Sequence, residues 1–494
     1  MKFRLVAKVL GMLAVLVGLA MGACWLYALI DLRTGEGSAA EASAEHAFGI
    51  STLATVGTGI VLFLIGRGCR NEVLRREAIV IVGLSWVLVS VLGALPFLLG
   101  DPGLSFVHSV FESASGFTTT GSSVISDIEA MPRPILLWRS VTQWLGGIGI
   151  LVVFVAVLSF LGVGSRSLMQ RESSLNLSDA GASRIRDLAA SLLKVYLVLT
   201  IVCGLGLWLL GMSVFDSVCH AMATIATGGF STRNRSIAHY GSAGIEMWLS
   251  AFMFLSSVGF MFYIFLANRK WSRIRSEEEA KYYLLLVLGT VAAITIDLVL
   301  VRHDGRWLDA LREVVFNVTS ISSTSGFGVS DYDRWPLFSK LLLMLLMVIG
   351  GCAGSTAGGL KMNRIVLFFK IALRELVRSY RPNQVFRIKL NGVSHPEQVF
   401  VTTLFVITLG LAFAGFSVLL VAMIEPGLDF DTVLGAVFGT LWNIGPGFGD
   451  VGPTDNFGGL KPPTLVFLSF LMILGRLEFF ALIVLFVPSL WRKY

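Results

Sequence analysis

Four short turns rich in glycine carry the residues of this chain that could do chemistry. Each turn follows a short apolar run that ends in small and hydroxyl side chains. A turn that points successive carbonyl oxygens in one direction needs backbone dihedrals that a β-carbon resists and glycine allows. A ring of such carbonyls can replace the hydration shell of a cation. The candidate residues are Thr119, Thr120, Gly121, Ala226, Thr227, Gly228, Thr324, Ser325, Gly326, Gly445, Pro446 and Gly447.

The elements that must position these turns are membrane-spanning helices. The 494 residues are 55% hydrophobic and 14% charged, which excludes an ordinary soluble protein. A spanning helix needs about 20 apolar residues, and its backbone groups must be satisfied internally because hydrocarbon holds no water. The sequence therefore predicts an all-α polytopic membrane protein. Ten long apolar segments can be counted: Leu5–Ile30, Ala47–Ile65, Ala78–Leu99, Leu136–Leu161, Leu188–Leu210, Ile245–Leu266, Tyr282–Val301, Leu341 to about Leu373, Val399–Ile424 and Leu465–Phe486.

An internal repeat organises the chain. Each turn lies between two apolar segments and follows a run of roughly a dozen residues, which is too short to cross and predicts a re-entrant helix. With Gly121, Gly228, Gly326 and Gly447 taken as equivalent, successive repeats stand roughly 100–120 residues apart. We expect four helix–pore-helix–helix repeats in a pseudo-fourfold ring around a central pore. The predicted domains are an N-terminal two-helix domain, 1–77, followed by pore repeats 78–165, 166–270, 271–390 and 391–494.

A small-residue stretch interrupts the inner helix of the third repeat. Irregular backbone at that depth survives only where protein or a water-filled cavity surrounds it, so a flexible loop at 350–361 could act as a gate below the pore turns. A simple helix kink is the alternative interpretation. The candidate gate residues are Gly350, Gly351, Gly354, Ser355, Thr356, Gly358, Gly359 and Lys361.

Arg476 lies in the middle of the last apolar segment, where a guanidinium is costly. We expect it to face the cavity, where its charge would form an electrostatic barrier just below a cation site. A structural salt bridge with another helix is the alternative.

Charge distribution predicts the orientation and excludes several functions. Lysine and arginine concentrate in the loops opposite the four turns, which places both termini in the cytoplasm and the turns outside. We attribute the net charge of +7 to these loops and expect no nucleic-acid partner. The five cysteines show no metal-ligand spacing, and no nucleophile or acid–base constellation indicates an enzyme. No dinucleotide fingerprint or P-loop is present, so we expect no cofactor in this chain.

The turns, the interrupted helix and Arg476 together resemble the superfamily of potassium transporters that includes bacterial TrkH and KtrB. Ser115–Ser122 and Ala223–Thr232 resemble its filter loops, as do the third and fourth turns, and Gly350–Lys361 resembles its intramembrane gate. The two additional N-terminal helices indicate the TrkH branch. In that superfamily, serine in place of the first filter glycine accompanies Na⁺ permeation, and glycine stands at all four positions here.

The resemblance implies a potassium-uptake subunit with K⁺ as its substrate, held by filter backbone carbonyls. It implies a bacterial cytoplasmic (inner) membrane, a homodimer surrounded by membrane lipid, and control by a cytosolic nucleotide-binding ring resembling TrkA, which takes NAD(H) or ATP/ADP. Such a ring could dock on the basic loops Arg166–Arg186, Arg269–Lys281 and Lys370–Lys389, although these loops could also serve only orientation and lipid contact. A K⁺ symporter coupled to H⁺ or Na⁺ on the same fold remains the alternative function.

Overall fold

The computed structural model describes residues 3–33, 39–68, 74–160, 182–302, 307–384, 387–394 and 396–491. Two long helices, Phe3–Arg33 and Ala39–Ile65, form an N-terminal hairpin that packs against the first repeat. A β-carbon on Gly11 would lie 2.5 Å from the backbone nitrogen of Phe63, so the hairpin requires a residue without a side chain there. These two helices precede the four repeats, as the sequence predicts.

Each repeat consists of an outer helix, a short pore helix and an inner helix. The outer helices are Arg75–Gly93, extended by Leu95–Leu99, and Ala182–Leu209, Glu278–Arg302 and Glu397–Ile424. The pore helices are Phe106–Phe117, Val214–Ile225, Trp307–Ser322 and Phe430–Leu441. With 12 to 16 residues they are too short to cross a bilayer, which confirms the predicted re-entrant elements.

The inner helices differ among the repeats. They are Arg133–Phe160, then Ala243–Ser257 with Phe260–Ala267, then Leu337–Ile349 with Met362–Tyr380, and finally Pro462–Arg476. The sequence predicts one interruption, in the third repeat. The structure adds a 92° bend between the two helices of the second repeat, at Val258 and Gly259. It also ends the fourth inner helix at Arg476, because Glu478 and Phe479 adopt positive φ values of 51° and 70°.

Arg476 is therefore the last residue of a helix rather than a mid-helix residue.

Six helices of the described residues are long and apolar enough to cross a membrane, and the bent pair makes a seventh. The chain is a multi-pass membrane protein of all-α class. Its domain boundaries stay predictions, and the one placed at 165/166, like Arg166 in the predicted docking loop, lies outside the described residues.

Short elements complete the fold between the long helices. A two-residue antiparallel ladder pairs Lys389–Leu390 with Val393–Ser394, and its turn, Asn391-Gly392, has positive φ at both residues, as an Asn-Gly hairpin favours. The remaining short helices are Trp271–Ser276, Phe480–Ile483 and Pro488–Trp491, with 3₁₀ turns at Ser236–Tyr240, Tyr332–Arg334, Gly449–Val451, Phe457–Gly459 and Val484–Phe486.

Candidate functional site

The same backbone conformation follows every pore helix. The second residue after the helix has positive φ in all four repeats, at Thr119 (52°), Thr227 (54°), Thr324 (58°) and Asn443 (55°). The fourth residue is a glycine with positive φ, at Gly121 (89°), Gly229 (76°), Gly326 (77°) and Gly445 (105°). Non-glycine residues seldom adopt positive φ, so its recurrence at the same position in all four turns indicates that the turns share one backbone conformation.

This geometry changes the predicted register in two repeats. The structurally equivalent glycines are Gly121, Gly229, Gly326 and Gly445, whereas the sequence predicts Gly228 and Gly447 in the second and fourth repeats. Where two glycines stand close together, the sequence does not distinguish which one takes the left-handed conformation. The distance from the end of the pore helix decides it, and this signal could have identified Gly229 and Gly445 once the helix ends were known.

The four turns contact one another in a closed ring. A β-carbon on Gly121 would lie 2.2 Å from the carbonyl oxygen of Gly228, and one on Gly229 would lie 1.9 Å from that of Ser325. A β-carbon on Gly326 would lie 2.0 Å from the carbonyl oxygen of Ile444, and one on Gly445 would lie 2.7 Å from that of Thr120. Each repeat thus presents to its neighbour the carbonyl that precedes its own glycine. The contacts run from the first repeat to the fourth and back to the first, so the turns enclose one shared axis.

Each repeat contributes to the ring the second, third and fourth residues after its pore helix, and residues at the same distance from the helix end form one of three levels. Repeat by repeat, these residues are Thr119, Thr120 and Gly121, then Thr227, Gly228 and Gly229, then Thr324, Ser325 and Gly326, and finally Asn443, Ile444 and Gly445. We call these twelve residues the filter ring. Sequence reasoning missed Gly229, Asn443 and Ile444.

Three predicted residues lie beside the ring rather than in it. Ala226 caps the second pore helix. Pro446 and Gly447 follow the fourth ring glycine, and the Gly447 carbonyl accepts a hydrogen bond from the Tyr332 hydroxyl at 3.1 Å.

Side chains behind the ring hold its backbone. The Gln143 amide donates to the Gly228 carbonyl at 2.6 Å, and its oxygen accepts from the Phe230 backbone N–H at 3.1 Å. The Ser122 hydroxyl donates to the Gly445 carbonyl at 2.9 Å, and Asn443 donates to the Thr120 hydroxyl at 2.9 Å. Both of the latter bonds join the fourth repeat to the first.

The predicted gate segment, residues 350–361, forms a loop that we call the gate loop. It contacts three of the four turns or their pore helices. The Thr356 hydroxyl donates to the Ile225 carbonyl at 2.9 Å, and the Gly358 N–H donates to the Thr324 hydroxyl at 2.7 Å. The Gly359 N–H donates to the Trp442 carbonyl at 3.1 Å. These acceptors lie at the C-terminal ends of the pore helices, so the loop lies directly against the inner end of the filter ring.

The two interrupted inner helices are joined to each other through the same loop. The Cys352 N–H donates to the Ser257 carbonyl at 2.8 Å, and the Phe260 N–H donates to the Gly354 carbonyl at 3.0 Å. The bend in the second repeat therefore supplies hydrogen-bond partners for the loop in the third. Sequence reasoning missed this bend because Ile245–Leu266 reads as one continuous apolar segment.

Two buried cations bond to carbonyls of the gate loop, Arg476 from the last inner helix and Lys361 from the end of the loop itself. Arg476, 3% exposed, donates from Nη1 to the Thr356 carbonyl at 2.7 Å, and Lys361 donates to the Ala357 carbonyl. The Arg476 Nε and Nη2 groups have no hydrogen-bond partner among the described residues. Arg476 therefore pairs with the gate loop rather than with a carboxylate. Glu478, two residues further on, pairs with Arg364.

Carboxylates surround the outer side of the ring, but several are paired. Asp333 lies 3.0 Å from Lys340, Asp331 lies 2.9 Å from Arg334, and the Asn234 side chain donates to Asp127 at 2.8 Å. The hydrogen bond from Asn234 lowers the pKa of Asp127 below its ordinary value. Pairing with Lys340 and Arg334 offsets part of the attraction of Asp333 and Asp331 for external cations.

The arrangement suits the passage of a dehydrated cation. Four pore helices end at the ring, and the negative ends of their dipoles favour positive charge there. Four neighbouring repeats supply backbone carbonyls at equivalent positions, and threonine and serine hydroxyls lie among them. No group of three or more histidine, cysteine or carboxylate side chains that could hold a metal ion occurs among the described residues.

Comparisons with known proteins identify relatives over the whole chain. The family model of TrkH, described as a cation transport protein, matches residues 67–493. The chain is 36% identical to the Trk system potassium uptake protein TrkH of Halomonas elongata and 36% identical to that of Escherichia coli K12, with 100% of both chains covered in each case. The crystal structure of the potassium transporter TrkH from Vibrio parahaemolyticus superposes with a TM-score of 0.88 at 32% identity, again over 100% of both chains.

Proposed function

The chain belongs to the TrkH family of cation transport proteins, and on that premise we propose that it takes up potassium through a gated pore. The filter ring forms the selective part of the pore, and K⁺ is its substrate. The relatives carry the names of transporters and no enzyme names, in keeping with the absence of catalytic motifs in the sequence.

One observation carries the proposal, the closed cycle of glycine–carbonyl contacts through Gly121, Gly229, Gly326 and Gly445. Each carbonyl in the cycle comes from a different repeat, and each lies too close to the next glycine for any side chain to fit. Four equivalent carbonyls around one axis are what a dehydrated K⁺ needs in place of its water shell.

The gate loop and Arg476 regulate passage below the ring. The loop is hydrogen-bonded to the inner side of three turns, so an ion that leaves the ring meets the loop first. The Arg476 guanidinium, joined to Thr356, adds a positive charge at this level and raises the barrier for a cation. Opening requires displacement of the loop and of this charge.

We also propose where the chain lies and which partners it has. It lies in a bacterial cytoplasmic membrane with both termini inside and the filter ring toward the outside. It works as a homodimer, and a cytosolic nucleotide-binding ring resembling TrkA controls the gate from the basic face. The positive-inside distribution of lysine and arginine supports this orientation, and the name "Trk system" of the relatives fits a multi-component assembly.

The testing experiment is K⁺ and Rb⁺ flux into liposomes that hold the purified protein, with and without Na⁺ and proton gradients. Flux driven by a K⁺ gradient alone and poorly matched by Na⁺ is the expected result. Flux that appears only with a second ion gradient would instead identify a symporter coupled to H⁺ or Na⁺, a function that the comparisons do not favour.

A further inference from the structure

A buried ion pair lies behind the filter ring. The Arg139 Nε donates to the Glu112 carboxylate at 2.8 Å, and these residues are 1% and 0% exposed. Glu112 belongs to the first pore helix and Arg139 to the first inner helix. Taking two charges out of water is expensive, so such a pair adds little to stability by itself. The other contacts of the pair indicate a role besides stability.

The Glu112 carboxylate holds the chain that leaves the first filter turn. It accepts hydrogen bonds from the Ser123 hydroxyl at 3.0 and 3.1 Å and from the Val124 N–H at 3.0 Å. Ser123 is two residues beyond the ring glycine Gly121. The Arg139 Nη2 also donates to the Ser123 hydroxyl, at 3.2 Å. Both members of the pair therefore bond to the same hydroxyl, that of Ser123, just outside the ring.

The guanidinium reaches the equivalent point of the second repeat. Its Nη1 donates to the Ser231 carbonyl at 2.8 Å, and its carbon lies 4.1 Å from the centre of the Phe230 ring. Ser231 is two residues beyond the ring glycine Gly229, as Ser123 is beyond Gly121. One arginine thus ties the exits of two neighbouring filter turns to a single buried carboxylate.

The same pore-helix position is used in other repeats. Glu112, His220, Asn317 and Ala436 each stand five residues before the last helix residue, which is Phe117, Ile225, Ser322 or Leu441. The His220 Nε2 lies 2.9 Å from the Ser231 hydroxyl, and the Asn317 amide donates to the Ser330 hydroxyl at 2.8 Å. In three repeats, the residue at this position therefore bonds to the chain that leaves the filter turn. Glu112 and Arg139 together contact that part of the chain in both the first and the second repeat.

We infer that Arg139 and Glu112 are positioning residues for ion selectivity, since they fix the spacing between the first two filter turns. The spacing of the turns sets both the size of the carbonyl cage and the number of carbonyls that reach the ion, the two properties on which K⁺/Na⁺ discrimination can rest. A fork of guanidinium nitrogens can bridge three partners at once, and a lysine ammonium cannot reproduce that geometry. The inference rests on the proposed potassium pore.

The test compares the Na⁺/K⁺ permeability ratio of the wild type and Arg139→Lys in the same liposomes. Lysine keeps the charge beside Glu112 but loses the bonds to Ser231 and Ser123. We expect the ratio to rise roughly tenfold, which corresponds to a change of about 1.4 kcal/mol in the relative preference for the two ions. An unchanged ratio in a folded, conducting Arg139→Lys protein would overturn the inference.

Arg312→Lys serves as the matched control. Arg312 also pairs with a buried glutamate, Glu246, at 2.5 and 2.6 Å, but it joins the second inner helix to the third pore helix away from the ring. This variant is expected to keep the wild-type ratio. An equal rise in Arg312→Lys would assign the effect to general loosening and contradict a specific role for Arg139.

A milder variant decides the matter if Arg139→Lys does not fold. Ser123→Ala removes the hydroxyl that Glu112 and Arg139 share and leaves the ion pair in place. A smaller rise in the Na⁺/K⁺ ratio supports the inference, and an unchanged ratio contradicts it. A wild-type protein that passes no K⁺ would refute the proposed function itself, whereas a selective wild type with an equally selective variant would refute only the positioning role.

Discussion

The backbone N–H of Gly358 donates to the Thr324 hydroxyl at 2.7 Å, which joins the gate loop directly to the third filter turn. Thr324 has a positive φ of 58°, and Gly358 lies within the interrupted inner helix of the same repeat. A β-carbon on Gly358 would lie 2.4 Å from the Trp442 carbonyl of the fourth repeat. The gate loop thus packs against the filter ring without an intervening layer, and the two structures are expected to influence each other.

Deletion of residues 351–358 should raise K⁺ flux. The deletion removes the Thr356 and Gly358 contacts to the turns, together with the carbonyl that holds Arg476. Rubidium uptake into liposomes measures the effect, with size-exclusion chromatography as the control for folding. Equal or lower flux in a folded protein would indicate a structural kink instead of a gate.

Glu279→Ala should also raise flux, although it leaves the sequence of the gate loop unchanged. One Glu279 carboxylate oxygen accepts from the Ala353 N–H at 2.5 Å and from the Asn363 N–H at 3.1 Å, so it ties the gate loop to the start of the helix that follows it. Bonds to a charged group contribute about 1.5–3 kcal/mol each, so their loss should favour the displaced loop. Single-channel or flux recordings would measure this shift.

The neighbouring residue provides the control for that variant. Glu278 pairs with Lys370 and not with the gate loop, so Glu278→Ala should leave flux near the wild-type level. If both variants raise flux equally, the gate loop is not specifically held by Glu279.

Substitutions at the adjacent glycines of the second repeat test the register of the filter ring. Gly229→Ala should abolish selective flux, since the new methyl would lie 1.9 Å from the Ser325 carbonyl and φ is 76°. Gly228→Ala should be milder, because the atoms nearest to its methyl, from 2.4 Å, belong to the Gln143 side chain and not to the backbone. Relative K⁺ and Na⁺ flux in the two variants gives the answer. The opposite order of severity would restore the register predicted from sequence.

Gly326→Ser should admit Na⁺ more readily. A β-carbon there would lie 2.0 Å from the Ile444 carbonyl, so the third and fourth turns must separate and the added hydroxyl offers a different ligand. We expect the Na⁺/K⁺ permeability ratio to increase about tenfold, measured by competitive flux. An unchanged ratio would argue against a selective role for this ring.

The cap of the fourth pore helix should make a pH-dependent contribution to stability. Asp429 accepts a hydrogen bond from the Thr432 N–H at 2.9 Å, and bonding to Thr432 lowers the pKa of this carboxyl. A lowered folded-state pKa means that the stabilisation is present above the unfolded pKa, about 3.9, and is lost as pH falls through the folded value. Asp429→Ala should cost about 1 kcal/mol at pH 7 by thermal unfolding in detergent. A stability difference from the wild type that stays constant below about pH 4 would contradict this linkage.

The sequence by itself determined the class of the protein and the number of repeats. Apolar segments such as Tyr282–Val301 must span a bilayer, and a dozen residues such as Phe106–Phe117 cannot, so length and hydropathy predict outer and pore helices directly. In the first and third turns, the glycines predicted from the sequence, Gly121 and Gly326, are also the ones that adopt positive φ.

Only the tertiary structure decided which atoms meet. The choice of Gly229 over Gly228, and of Gly445 over Gly447, depends on where the pore helix ends and on a carbonyl from the neighbouring repeat. The bend at Gly259 is likewise invisible in an unbroken apolar segment, because its hydrogen bonds go to a loop nearly a hundred residues away. Hydropathy reports only the solvent that a segment prefers. Contacts between repeats depend on how four separate segments close around one axis.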